Sequence, residues 1–250
     1  LPIGCVTKGR KGLELSEMEE LASAGVACFS DDGDPVYDAN LMKLALTYSS
    51  DLGLVISNHC QEKSLSCNGV MAEGPVATHL GLDGIPAAAE EAMIARDIAL
   101  SEATGGRLHV AHLSTAGSVP LVRQAKERGL AVTAEVCPHH LTITDQWVLG
   151  SKGAAADSAG LSAYDTATKV YPPLRAQSDV DALVEAVREG GWLVPAGDYH
   201  AFADSVHGFY DLSPTARNAT GTDARAYCLR EYGWNTTASR YANLFEELCR

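Results

Sequence analysis

The chain has 250 residues, 46% of them apolar, enough to bury a sizeable core as one large α/β domain or two small ones. Its formal net charge of −13 and isoelectric point near 4.9, with acidic residues spread along the chain, repel a phosphate backbone and argue against nucleic acid as a ligand. No window holds a bilayer-length apolar run and the first residues lack the basic and apolar regions of a signal peptide, so no membrane partner is expected and the expected location is the cytoplasm.

From the N-terminus, short β-branched or apolar runs alternate with longer stretches of helical period. GVACFSDDG is followed by ANLMKLALTYSSDLG, LVISNHC, IPAAAEEAMIARDIALSEATGG, RLHVAHLS, SVPLVRQAKERG and LAVTAEVCPHH. Such alternation predicts βα units around a parallel sheet. The 7 cysteines (5, 28, 60, 67, 137, 228 and 249) form no C-x-x-C pair, which fits reduced thiols, and Cys60 and Cys137 read as packing residues.

Each predicted strand ends in a polar cluster: Ser30-Asp31-Asp32, Asn58-His59, His112-Leu113-Ser114-Thr115, and His139-His140. One polar residue at a strand end usually caps a helix, but α/β folds also place their chemistry at these ends, and four in succession favour the second reading. Asp32, His59 and His112 offer one carboxylate and two imidazoles from three strand ends, the makeup of a zinc-type hydrolytic site. Zinc suits hydrolysis because it polarises a carbonyl and lowers the pKa of water from about 15.7 to about 7. His109 precedes His112 by three residues and should face the opposite side of a continuing strand. His139 and His140 are adjacent, so at most one of them would point into the site; both are expected in structural or supporting roles.

Residues 146–169 turn small and polar, a predicted loop before Val170-Tyr171-Pro172-Pro173. After Gly190, Trp192-Leu193-Val194 is the last predicted strand. Trp234, Ala238, Tyr241, Leu244, Phe245 and Leu248 fit a closing amphipathic helix.

The stretches PIGCVTKGRKG, ACFSDDGDPV, ISNHCQEKSL, NGVMAEG, GIPAAAEEAMIARDIALSEATGGRLHVAHLSTAGSV, AVTAEVCPHHLTIT and YPPLR, in this order, resemble the middle of a class I dihydroorotase of the amidohydrolase superfamily. The resemblance covers residues 1–189 and implies a partial (β/α)8 TIM-type barrel. It also implies reversible hydrolysis of the cyclic amide of dihydroorotate, a small-molecule substrate, to carbamoyl aspartate in pyrimidine synthesis, with one or two Zn2+ ions. By position, Asp32 is similar to the carboxylate that bridges the metals, where allantoinases and dihydropyrimidinases carry a modified lysine. His59 and His112 are similar to ligands of one metal.

Three departures accompany the resemblance. The family's H-x-H-x-R strand would lie before Leu1, and Tyr171 stands where the family has a substrate-binding Asn. The family's T-D-H-A-P-H strand has only Asp198-Tyr199-His200 near its place, and Pro195-Ala196-Gly197 interrupts the run that should enter the catalytic Asp. Asp198 and His200 are therefore left out of the expected site, the catalytic Asp is unassigned, and little turnover is expected.

Residues 190–250 resemble instead the helical end of a retaining glycosyltransferase with two Rossmann-like domains, on GWLVPAGDYHAFADSV and EYGWNTTASRYANLFEELC. The expected organisation is a barrel over 1–189 and a mostly helical tail over 190–250. The competing expectations are a non-catalytic incomplete barrel, whose unpaired edges would drive homo-oligomerisation, and a glycosyltransferase.

Overall fold

In a computed structural model of the chain, the residues described are 2–150 and 163–188. The chain divides into two compact units, Leu1–Leu183 and Val184–Arg250. Of the second, only the last turns of one helix are described. The expected Trp192-Leu193-Val194 strand, Asp198, His200 and the closing helix lie outside the described residues.

The first unit is built on a five-stranded, wholly parallel sheet. Its strands are β1 (Ile3–Gly4), β2 (Cys28–Ser30), β3 (Val55–His59), β6 (Arg107–Ala111) and β7 (Val132–Ala134), hydrogen-bonded in that order. The connecting helices are α1 (Met18–Ser23), α2 (Ala39–Asp51), α5 (Ala88–Thr104) and α6 (Ser118–Glu127). Registers such as Cys28 with Val55 and Val55 with Arg107 bring the strand ends level, so residues that leave the strands emerge along one edge.

The alternation of strand side chains decides which residues meet the helices. Phe29, Ile56, Leu108, Val110 and Val132 are buried, as are Met42 and Leu46 on α2 and Met93 and Ile94 on α5. Between them, Ser57, His109 and Thr133 point to the opposite, more open face. Helix boundaries follow local chemistry: Asp38 accepts a hydrogen bond from the Leu41 amide at 2.7 Å and starts α2. The Gly105-Gly106 pair ends α5, Gly105 taking the left-handed conformation (φ +69°), while a Cβ on Gly106 would stand 2.6 Å from the Leu46 carbonyl oxygen.

A smaller layer interrupts the alternation. α3 (Lys63–Ser66), β4 (Met71–Ala72), α4 (Pro75–Leu80) and β5 (Gly84–Ile85) lie between β3 and α5, with β4 and β5 paired in a two-stranded parallel sheet. Met71, Val76, Ala77, Leu80 and Val148 form its core. α7 (Gln177–Arg188) follows the last described loop. No helix among the described residues is long and apolar enough to cross a membrane.

Two expectations need correction. β7 stops at Ala134, and Pro138–Leu141 is a 3-10 turn, so His139 and His140 are not on opposite faces of a strand. Their rings lie side by side, centroids 4.2 Å apart. β6 likewise stops at Ala111, and His112 takes a left-handed backbone (φ +39°), which rotates it away from strand alternation. His109 consequently shares the open face with Ser57 and His59 rather than pointing away from the site.

Candidate metal centre

Asp32 follows β2, His59 is the last residue of β3, and His112 follows β6, so three neighbouring strands deliver them to one edge. The His112 Nε2 to Asp32 Oδ1 distance is 3.0 Å, His59 Nδ1 to His112 Nε2 is 3.3 Å, and His59 Nδ1 to Asp32 Oδ1 is 3.7 Å. A tetrahedral ion with nitrogen and oxygen ligands at about 2.0–2.1 Å has ligand-to-ligand edges of about 3.4 Å. The triangle thus has the size of one face of such a coordination shell, and the donor set, two imidazoles and a carboxylate, is one zinc accepts.

The local electrostatics hold these groups in ligand-ready form. Partial burial pushes the Asp32 carboxyl up, but the His112 hydrogen bond and the charges of His112 and His59 outweigh it and hold it below its usual range. Burial and the neighbouring His112 lower His59, against the opposing pull of Asp32 and a hydrogen bond with Gln61. His112 Nδ1 is buried with no hydrogen-bond partner.

A buried polar group anchors the chain segment that carries each of the three side chains. Asp31, 2% exposed, accepts from the Val6 amide at 2.9 Å, the Thr7 amide at 3.1 Å and the Thr7 hydroxyl, tying the end of β2 to the loop after β1. Asn58 donates to Asp97 Oδ2 at 2.6 Å and accepts from the Val36 amide at 3.2 Å. Glu90, on α5, accepts from the Ser114 and Thr115 amides and from the hydroxyls of Ser114, Thr115 and Ser118, which fixes the loop carrying His112. Arg175, also buried, donates from Nε to the Ser114 hydroxyl at 3.1 Å and from Nη1 to the Ile85 carbonyl at 2.8 Å.

An open cleft of about 360 Å³ lies against the triangle, lined by Ser30, Asp32, Ser57, His112, Glu135 and Arg10 among others. Glu135 was not singled out in the sequence, and His109 was expected to face away from the site. Their shared environment, a hydrogen bond and the His109 charge, lowers the Glu135 carboxyl against the effect of burial. The signal available was the position of Glu135 just past the fourth strand. Tyr171 lies apart from the triangle's hydrogen bonds: its phenol donates to the Gly69 carbonyl at 3.0 Å, in the small layer. His140 donates from Nε2 to the Pro172 carbonyl at 3.1 Å.

Over 214 residues, 85% of this chain and 47% of the relative, the sequence is 52% identical to a dihydroorotase of Pelotomaculum thermopropionicum. Residues 1–118 match the family model described as dihydro-orotase-like.

A second dihydroorotase, from Anaeromyxobacter dehalogenans, is 45% identical over 229 residues, 91% of this chain and 50% of its own length. The chain spans about half the length of the curated relatives it matches. A match of 229 residues cannot stop at residue 189, so the alignment carries past the expected boundary, and the glycosyltransferase resemblance of 190–250 gains no support. Among solved structures, L-hydantoinase (dihydropyrimidinase) from Arthrobacter aurescens superposes with a TM-score of 0.54 at 22% identity, covering 75% of this chain and 40% of that one. Dihydropyrimidinase from Brevibacillus agri NCHU1002 gives 0.52 at 23% identity, covering 70% and 39%. These likenesses establish the fold: the parallel sheet of the described residues is part of a TIM-type barrel.

Proposed function

We propose that the chain is the metal-binding part of a cyclic-amide hydrolase of the dihydroorotase type, acting on dihydroorotate and carbamoyl aspartate. The observation that carries this reading is the triangle of Asp32, His59 and His112, whose edges match one face of a zinc coordination shell to within about 0.4 Å. The presence of Asp32 at the corner where allantoinases and dihydropyrimidinases carry a modified lysine favours the dihydroorotase reading over theirs.

A zinc ion held there supplies Lewis acidity toward the ring carbonyl and acidifies water. The chain's own groups do the rest: Asp32 and the two imidazoles fix the ion, while Asp31, Asn58 and Glu90 hold the strand ends that carry them. Arg10 lines the same cleft, and its guanidinium suits the carboxylate that dihydroorotate carries.

Zinc titration of the chelator-stripped chain, read beside dihydroorotate hydrolysis, tests the reading. Asp32→Ala should weaken the zinc equivalent held at this triangle by at least about tenfold and lower any residual hydrolysis in step. An Asp32→Ala chain that binds as many equivalents of zinc, as tightly, as the unaltered chain, or hydrolysis indifferent to chelator, would overturn it.

A further inference from the structure

A second group of donors lies outside the triangle. Cys137, His139 and His140 each offer one ligand atom, and the three atoms lie within 4.8 Å of one another. The loop that carries them is compact: Pro138 opens a 3-10 turn that brings the two imidazoles together, centroids 4.2 Å apart and planes tilted by 55°. None of these residues belongs to the Asp32, His59 and His112 set.

A hydrogen bond settles which atom of His140 is free. Its ring is 2% exposed, and Nε2 stands 3.1 Å from the Pro172 carbonyl oxygen. A carbonyl only accepts, so Nε2 carries the proton and Nδ1 presents a lone pair. That Nδ1 is buried with no hydrogen-bond partner, and the same holds for Nε2 of His139. Buried ring nitrogens left unpaired cost stability, whereas a metal-bound histidine whose other nitrogen donates to a backbone carbonyl is the ordinary arrangement at a metal.

We propose that Cys137, His139 and His140 form a second metal site, for a single thiophilic divalent cation of the zinc class. One thiolate and two imidazoles select such an ion over magnesium or calcium, which prefer oxygen. Ligand distances of about 2.3 Å to sulfur and about 2.0–2.1 Å to nitrogen give ligand-to-ligand edges of about 3.5 Å, so atoms up to 4.8 Å apart must draw together by about 1.3 Å at most. Binding replaces the Cys137 S–H bond by a sulfur–metal bond and releases that proton to water; no electron changes hands. Burial raises the Cys137 thiol, with Glu135 and Asp32 adding to it, so in the metal-free chain it is protonated. Burial, with His139 next, lowers His140 to about 4, which keeps its lone pair free at neutral pH.

Cobalt(II) titrated into the chelator-stripped full chain tests the site, because thiolate-to-cobalt charge transfer absorbs in the near ultraviolet and an all-nitrogen-and-oxygen site gives no such band. The band should appear by two equivalents of Co2+, enough for both proposed sites, persist in Asp32→Ala and vanish in Cys137→Ser. A Cys137→Ser chain that keeps the band, or an unaltered chain that never shows it, would overturn the proposal. Persistence of the band in Asp32→Ala also separates this site from the triangle, so the two readings can fail independently. On the unaltered chain, Zn2+ should slow iodoacetamide alkylation of Cys137, mapped by peptide mass spectrometry, on the order of tenfold. Equal rates with and without Zn2+ would overturn the proposal without any variant.

Discussion

At the scale of single residues, the candidate centre depends on groups that never face the cleft. Asp31 holds the buried Val6 and Thr7 amides, and removing its carboxylate strands both donors. Asp31→Ala should therefore lower the unfolding free energy by about 3–5 kcal/mol in urea titration, with the slope unchanged. Glu90→Gln keeps the shape but removes the charge that five donors share; it should weaken zinc binding at the triangle by about tenfold while Asp32 and His59 stay in place. Asp97 gives a pH signature. Burial outweighs Arg96 and Asn58 and raises its carboxyl above the unfolded value. An acid with a raised folded pKa retains its proton longer when folded, so its contribution to stability is greatest below about 3.9 and is lost as pH rises through the raised value. The stability difference between the unaltered chain and Asp97→Asn should fall across that window in pH-dependent urea titrations.

At the scale of elements, the strands and long helices were legible because their periodicities are strong, and Asp32, His59 and His112 because each ends a hydrophobic run. What the sequence hid was where strands stop. His109 and His112 are three apart, which reads as opposite faces only if β6 continues; the left-handed turn at His112 breaks that count. The same failure applied to His139 and His140, where Pro138 replaces strand with a 3-10 turn. Long-range partners such as Glu90 with the Ser114 loop carry no local signal at all, since only the folded chain brings them together. Close packing between elements is equally silent: Gly106→Ala would drive a methyl group toward the Leu46 carbonyl, so a loss of about 1–3 kcal/mol is expected by thermal unfolding.

At the scale of the whole molecule, five parallel strands make an arc rather than a closed ring among the described residues. β1 and β7 each have one partner strand there, and Ile3 on β1 is 63% exposed. Exposed parallel edges pair readily, so size exclusion over a range of concentrations should show association that grows with protein concentration. An Ile3→Lys chain should shift toward the monomer. The alternation described for β3 has one more consequence. Asn58 enters the helix layer and His59 the open edge, so sliding that strand by a single residue against β6 would exchange them, drowning the imidazole among methyl groups and leaving Asp97 without its amide. The centre is in this sense a gauge of alignment: a chain that captures zinc at Asp32, His59 and His112 has already set its strands in step.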